Sequence, residues 1–143
     1  MGIPKLGRSK NNKLMHYSVG AVIKKGNKYL LIERRFFPYG FAGIAGHLDI
    51  HENVVDAIVR EVREESGLKV TSHKLIIEEE VYPNKCVVGI NVHYWYVFDC
   101  KVSGKIKENF LETKSVGWYS ADKIKKLKLE KIWRYWFKKL KII

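Results

Sequence analysis

Three glutamates in the middle of the chain have a spacing that suits metal chemistry. Glu61, Glu64 and Glu65 stand at positions i, i+3 and i+4, so in a helix their carboxylates share one face. Like charges this close repel one another unless a cation offsets them. Mg²⁺ prefers oxygen ligands and keeps water molecules that substrate phosphates can replace. These residues therefore indicate a Mg²⁺ (or Mn²⁺) site that handles phosphates, with a solvated acidic stripe as the alternative.

The residues around these glutamates form a longer pattern. It runs from Gly46 to Leu68 and reads G-x5-E-x7-R-E-U-x-E-E-x-G-U, where U is apolar. Every defined position of the Nudix box is present, so the sequence resembles the Nudix hydrolase family. The resemblance implies an enzyme that hydrolyses a phosphoanhydride bond in a nucleoside diphosphate-linked substrate. It also implies a divalent metal cofactor, Mg²⁺ or Mn²⁺.

The resemblance assigns roles to particular residues. The implied metal ligands are Glu61, Glu64 and Glu65, together with a backbone carbonyl of Ala45 or Gly46. Arg60 and Glu52 correspond to a structural ion pair. Glu112, in a loop ahead of Trp118, corresponds to a further ligand or base. The catalytic base stays open between Glu61, Glu65 and Glu112.

Three residues are candidates for substrate binding. Arg35 matches a position that often meets substrate phosphate in the family, whereas Arg34 is expected to point the other way in an extended chain. Phe41 belongs with Phe36, Phe37 and Tyr39 to a group of aromatic residues that can stack on a base. Pro83 lies 15 residues past Leu68, a feature of family members that cleave ADP-ribose and nucleotide sugars.

The residues that lead into the box favour one substrate class. The run that ends at the box glycine is Ile44-Ala45-Gly46. An Ala-Gly ending is commoner among cleavers of ADP-ribose and nucleotide sugars, whereas many nucleoside triphosphate cleavers have Pro-Gly-Gly. The alternatives are a (d)NTP pyrophosphohydrolase and an enzyme that removes pyrophosphate or a cap from an RNA 5′ end. A non-catalytic nucleotide-binding module is a third alternative, and the complete set of glutamates counts against it.

Positive charge is concentrated at the two ends of the chain. The net charge is +12, and residues 1–28 contain seven basic residues and no acidic one, whereas residues 29–100 contain seven basic and eleven acidic residues. A surplus of this kind suggests an anionic partner. We therefore expect a nucleotide-type small molecule as partner, and RNA as a possible one.

The pattern of apolar residues predicts an α+β fold. An apolar stripe predicts a helix over 53–66, closed by Gly67. Strands are predicted over 14–23, 29–33, 70–81, 87–102 and 114–119, and helices over 121–140. The family resemblance implies an α/β/α sandwich with a mixed β-sheet, in which the box forms loop, helix and loop and a helix ends the chain.

Length and composition indicate one domain. The 143 residues suit a single Nudix domain over 14–143, preceded by a flexible basic N-terminal arm over 1–13. Cys86 and Cys100 are too few for a disulfide framework and lack the paired spacing of a zinc site. Without an apolar run of about 20 residues or an apolar signal core, we expect no membrane span and a cytoplasmic location. Monomer and homodimer remain open.

Overall fold

The computed structural model describes residues 2–143. The strands are β1 (Leu6–Arg8), β2 (Leu14–Lys25), β3 (Lys28–Arg34), β4 (Gly40–Ala42), β5 (Ile44–His47), β6 (Lys69–Val81), β7 (Val92–Ser103) and β8 (Thr113–Ser120). The helices are α1 (Val54–Ser66), α2 (Ala121–Lys126) and α3 (Lys131–Lys139). Within the described residues, no helix is both long enough and apolar enough to cross a membrane.

Strand β2 lies at the centre of a mixed sheet. It pairs in parallel with β7 and antiparallel with β1, β3 and β5. Strand β6 extends the sheet beyond β7, while β4 and β8 both pair with β3. This arrangement confirms the predicted α+β class with a mixed sheet.

Helix α1 begins and ends where its sequence predicts. The Asn53 side chain accepts a hydrogen bond from the Asp56 N–H at 2.8 Å, which satisfies one free amide of the first turn. Gly67 has φ = 76° and donates its N–H to the Arg63 carbonyl, a left-handed ending that favours glycine. On the apolar face, Ile58 and Val62 are fully buried in the core, whereas Val55 and Val59 are half-buried.

Helix α3 covers the core with aromatic side chains. Trp133, Trp136 and Phe137 are buried, and the rings of Trp133 and Trp136 both contact Trp95 of β7 edge to face. Aromatic side chains of this size contribute a large share of the apolar surface that folding removes from water. The C-terminal residues therefore belong to the same core that supports the sheet.

Residues 2–13 differ from the flexible arm predicted over 1–13, of which Met1 lies outside the described residues. Strand β1 pairs with residues 14–16 of β2, and the N–H groups of Lys5 and Ile50 bond to the carbonyls of Leu48 and Ile3 at 2.8 Å each. Residues 3–8 thus bond to strand β2 and to the first residues of the box. The physical reason is that an open strand edge has unpaired N–H and C=O groups, which a neighbouring segment satisfies.

The second long strand also starts later than predicted. Strand β7 begins at Val92, whereas the sequence predicts a strand from residue 87. Residues 82–91 form a loop instead, in which Asn84 and Cys86 bond through their N–H groups to the carbonyls of Asn91 and Ile90. These local bonds replace the cross-strand bonds that a longer hairpin would make.

Candidate active site

Glu61 and Glu65 form the buried floor of a pocket where α1 meets β5. The two carboxylates lie one turn apart on the helix face that packs toward the sheet, with 9% and 7% of each residue exposed. A Glu65 carboxylate oxygen accepts a hydrogen bond from the Ala45 N–H at 3.1 Å. A Cβ atom on Gly46 would lie 2.1 Å from the Glu61 carboxylate carbon. Gly46 therefore provides the space that lets this carboxylate approach the backbone of β5.

Arg60 connects α1 to the loop that precedes it. Its guanidinium donates to both carboxylate oxygens of Glu52, at 2.8 and 2.9 Å, and to the His47 carbonyl at 3.1 Å. It also donates to Glu61 at 2.6 Å. The expected Arg60–Glu52 pair is thus present, and its bidentate geometry is the strong form of an arginine–carboxylate contact. Hydrogen bonding from Arg60 lowers the pKa of Glu52.

Burial makes the two floor carboxyls costly to ionise. Desolvation raises the pKa of Glu61 to about 7, although the charge of Arg60 opposes the shift. Desolvation also raises the pKa of Glu65 well above its ordinary value, and the neighbouring Glu61 adds to the effect. A nearby positive charge would favour ionisation of both groups.

The other two predicted acidic residues lie in different places. Glu112 lines the pocket, and its negative charge is among the causes that raise the pKa of Glu61 and Glu65. The Glu64 side chain is 48% exposed and lies 3.4 Å from the Arg60 guanidinium. Glu64 therefore stands on the open side of the helix, and Glu112 completes the acidic wall.

Both arginines at the end of β3 line the pocket. Arg34 donates to the Pro38 carbonyl at 2.5 Å and lies 3.7 Å from Glu130. Arg35 lies just beyond the strand and donates to the Thr113 carbonyl at 3.4 Å. The prediction that Arg34 points away was wrong, because Arg34 shares a strand face with Ile32, which also lines the pocket. Strand alternation does not govern Arg35, which follows the last strand residue.

Two predicted substrate residues lie outside this pocket. Phe41 belongs to β4, and its ring packs edge to face on Tyr119 at 5.8 Å between centroids. Phe36 and Phe37, which belong to the same predicted aromatic group, line the pocket. Pro83 lines a neighbouring cavity, while the next two residues, Asn84 and Lys85, border both spaces. Phe41 and Pro83 therefore lie beside the pocket, and their neighbours in the chain line it.

Histidines and a cysteine form the far wall of the pocket. His47, His93 and Cys86 all line it, and sequence reasoning did not single them out as site residues. Desolvation lowers the pKa of His47 to about 3 and that of His93 to about 4, and the nearby His16 adds to both shifts. The rings are therefore neutral at physiological pH. The pairing of distant strands brings the histidines together and the loop over 82–91 adds Cys86, and sequence spacing reveals neither.

The donor set on the pocket floor fits a hard divalent cation. It consists of oxygen atoms from Glu61 and Glu65, from the adjacent backbone of Ala45 and Gly46, and from Glu112 on the wall. Carboxylates and carbonyls are the ligands that Mg²⁺ and Mn²⁺ take. A cation among them would also relieve the cost of burying two neighbouring carboxylates. The residues thus suit the metal that the box implies.

Known proteins resemble the chain in both sequence and structure. It is 30% identical over 107 residues to the NAD-capped RNA hydrolase NudC of Pseudomonas aeruginosa, covering 73% of this chain and 36% of that protein. It is 43% identical over 53 residues to the ADP-ribose pyrophosphatase of Methanocaldococcus jannaschii, covering 36% of this chain and 31% of that protein. Only about a third of the length of either relative is matched. The solved NUDIX hydrolase from Nitrosomonas europaea superposes with a TM-score of 0.65 at 25% identity, covering 82% of this chain and 78% of that one.

The match to the family extends well beyond the box. The model of the NUDIX domain matches residues 14–140, which include strands β2 to β8, the box helix and α3. The α+β fold with its mixed sheet is therefore the Nudix-type fold, as the resemblance implied. On the strength of this match, the protein belongs to the Nudix hydrolase family.

Proposed function

We propose that this protein hydrolyses the diphosphate bond of small nucleoside diphosphate-linked substrates of the ADP-ribose or nucleotide-sugar type, with Mg²⁺ or Mn²⁺ as cofactor. One observation carries the proposal. The buried carboxylates of Glu61 and Glu65 meet the backbone of Ala45–Gly46 in a pocket that Arg34 and Arg35 also line. Such a pocket combines acidic groups for a metal with cationic groups for phosphate.

The pocket offers separate contacts for the parts of such a substrate. Arg34, Arg35 and Lys85 line it, and their positive charges suit the diphosphate. Phe36 and Phe37 are 54% and 42% exposed and can stack on a base, since every base has a π-face. The diphosphate is thereby directed toward the acidic floor.

Hydrolysis then needs a positioned water and a proton acceptor. The divalent cation, when bound, offsets charge on the phosphate oxygens. Glu61 and Glu65 would hold it, and Arg60 keeps the Glu61 carboxylate in place by donating to it. Glu112 is exposed at the pocket wall and accepts the proton of the attacking water. The new bond joins the water oxygen to phosphorus, the bridging P–O bond breaks, and two phosphate-terminated products leave.

Two features favour a substrate of the ADP-ribose or nucleotide-sugar type. The residues Ala45-Gly46, which end at the box glycine, match an ending common among family members that cleave ADP-ribose and nucleotide sugars. One relative is named an ADP-ribose pyrophosphatase. Both features favour a nucleoside diphosphate joined to a second group over a nucleoside triphosphate.

The test is Mg²⁺-dependent turnover of ADP-ribose, nucleotide sugars, dinucleotides, (d)NTPs and 5′-triphosphorylated RNA. Replacing Glu65 or Glu61 by Gln keeps the shape but removes the charge that holds the cation. We expect each change to lower kcat/KM by about 10²–10⁴-fold, the range for loss of a positioned catalytic group. Glu108→Gln, at an exposed site, is the matched control and should keep full activity.

Two outcomes would contradict the proposal. Full turnover by Glu65→Gln and Glu61→Gln would show that these carboxylates do not hold a catalytic cation. Failure of the unaltered protein to cleave any of these compounds would favour a nucleotide-binding module without turnover.

A second candidate function is removal of an NAD cap from the 5′ end of RNA. It is favoured by the 30% identical relative, which is named an NAD-capped RNA hydrolase. NAD itself contains a diphosphate between two nucleosides, so the same pocket suits the bond. The two functions separate when kcat/KM is compared for free NAD and for NAD-capped RNA under the same conditions. A large preference for the RNA would favour the second function.

A further inference from the structure

Three imidazoles and a thiol converge beside the acidic floor. His16 belongs to β2, His47 to β5 and His93 to β7, while Cys86 comes from the loop over 82–91. One ligand atom from each of these four residues lies within 4.8 Å of the corresponding atom of every other. The proposed hydrolysis makes no use of this group. We call it the His/Cys cluster.

Strand register brings the three histidines to one face of the sheet. His16 and His93 are direct partners in the parallel pairing of β2 with β7. His47 lies opposite Ser18 in the antiparallel pairing of β2 with β5, and Ser18 is two residues from His16. Because residues at i and i+2 of a strand point to the same face, the three imidazoles project together. Their ring centroids are 4.4 to 5.6 Å apart.

The loop that supplies Cys86 is held against the sheet. The Trp95 indole donates to the Asn84 side chain at 2.8 Å. The Cys86 N–H donates to the Ile90 carbonyl at 3.0 Å, and the Cys86 carbonyl accepts from the Gly89 N–H at 2.9 Å. These bonds set the sulfur 3.8 Å from Nδ1 of His16. The thiol is therefore placed by its own loop, and its approach to the imidazoles is not a consequence of the strand pairing.

The cluster also leaves a buried polar atom without a partner. His16 and His93 are each 3% exposed, and Nδ1 of His93 is buried without a hydrogen-bond partner. Buried polar atoms in folded proteins nearly always have one. A ligand bound within the cluster is one way to satisfy a ring nitrogen of this kind.

We propose that His16, His47, His93 and Cys86 form a binding site for Zn²⁺, distinct from the carboxylate site on the pocket floor. Imidazole nitrogen and thiolate sulfur are the usual ligands of Zn²⁺, whereas Mg²⁺ takes oxygen. A tetrahedral ion with three nitrogens and one sulfur has ligand atoms roughly 3.3–3.7 Å apart. The His16–Cys86 separation nearly meets this range, and the whole cluster meets it after a small contraction.

The ion would fix one wall of the substrate pocket. Cys86 adjoins Lys85 and Val87, and all three line the pocket. A bond from Cys86 to an ion held by the sheet would tether this loop to β2, β5 and β7. The site is therefore structural, and it positions Lys85 toward the diphosphate.

Metal binding itself is the test, because it does not depend on catalysis. Protein stripped with a chelator is titrated with Zn²⁺, and separately with Co²⁺, whose visible spectrum reports tetrahedral geometry and thiolate ligation. The titration uses a Glu61→Gln, Glu65→Gln background, so that the carboxylate site does not contribute. We expect one equivalent of Zn²⁺, a tetrahedral Co²⁺ spectrum with a thiolate band, and a higher Tm with Zn²⁺.

Matched variants identify the ligands. Cys86→Ser and His47→Gln alter residues that are only partly buried, so the fold should persist, which circular dichroism checks. Each should weaken Zn²⁺ binding at least tenfold, and Cys86→Ser should also remove the thiolate band. His73→Gln and Cys100→Ser alter a histidine and a cysteine outside the cluster. They should leave the Zn²⁺ affinity and the thiolate band unchanged.

Three results would overturn the proposal. They are an absence of stoichiometric Zn²⁺ binding, unchanged binding in both Cys86→Ser and His47→Gln, and a Co²⁺ spectrum without a thiolate band. None of these depends on turnover. A failure of the proposed hydrolysis would therefore not affect the Zn²⁺ test. A failure to bind Zn²⁺ would likewise not affect the test of hydrolysis.

Discussion

Single residues set how closely helix α1 approaches the backbone of β5. Glu65 reaches that backbone by accepting a bond from Ala45, and Glu61 occupies the space in front of Gly46. Arg60 fixes Glu61 from the other side while it pairs with Glu52. Each of these contacts involves a carboxylate oxygen, so the position of the acidic floor depends on a few short distances.

Replacing Gly46 by Ala should disturb this floor without unfolding the protein. The added Cβ would lie 2.1 Å from the Glu61 carboxylate carbon, so the carboxylate must move away. Since the end of a flexible side chain can move at little cost, we expect little change in Tm. Loss of a positioned ligand should lower kcat/KM about 10–100-fold.

The measurement compares kcat/KM and thermal unfolding for Gly46→Ala and the unaltered protein. Gly117→Ala is the control, because its added Cβ would meet only the Tyr119 ring, at 3.3 Å. Full activity of Gly46→Ala would show that Glu61 does not need its observed position.

Among the elements, α1 was the one best predicted from sequence. Its cap, its apolar stripe and its closing glycine lie within 15 consecutive residues, so local spacing determines them. The family resemblance supplied the glutamates on it. The side chains that face the pocket from other elements depend on where a strand ends and on which strands pair. For that reason Arg34 and Phe41 were misplaced and the His/Cys cluster was not foreseen.

The start of α3 carries a buried glutamate whose ionisation should affect stability. Glu130 is 5% exposed, and desolvation raises its pKa to about 7, although the charge of Arg34 opposes the shift. The folded state therefore binds a proton that the unfolded state has already released above its ordinary pKa of 4.5. This contribution to stability is present at low pH and is lost as the pH rises through about 7.

Glu130→Gln should remove the loss of stability that accompanies ionisation of Glu130. We expect its free energy of unfolding to increase relative to the unaltered protein between about pH 5 and about pH 8, by roughly 1–3 kcal/mol. Chemical denaturation across this pH range measures the difference, with Glu108→Gln as an exposed control. A difference that does not change with pH would contradict a raised pKa for Glu130.

At the scale of the whole molecule, the basic N-terminal segment contacts two residues that line the cavity beside the pocket. The Lys13 ammonium lies 4.1 Å from the centre of the Tyr82 ring, and the Lys10 N–H donates to Glu80 at 3.0 Å. Both partners lie where β6 leads into the loop that carries Lys85 and Cys86. The basic residues before β2 are thus placed to meet the continuation of a long anionic substrate.

Salt should separate RNA from small substrates. Each phosphate contact with a lysine releases counterions, so affinity for RNA falls steeply as salt increases. We expect kcat/KM for NAD-capped RNA to fall more steeply with salt than kcat/KM for ADP-ribose. Lys10→Gln with Lys13→Gln should flatten the RNA slope, whereas Lys123→Gln with Lys125→Gln on α2 should not. Equal slopes for both substrates would count against any role of this segment in RNA binding.

The central strand also has a consequence for how the molecule folds. Strand β2 forms its parallel ladder with β7, in which Met15 is the partner of Val92, a separation of 92 − 15 = 77 residues. Contacts so distant in sequence raise the contact order, and high contact order slows folding. The hairpin of β2 with β3 and the helix α1 can form from local segments. The pocket, by contrast, can assemble only once β7 has paired with β2. Helix α1 can therefore fold before its glutamates have a finished pocket.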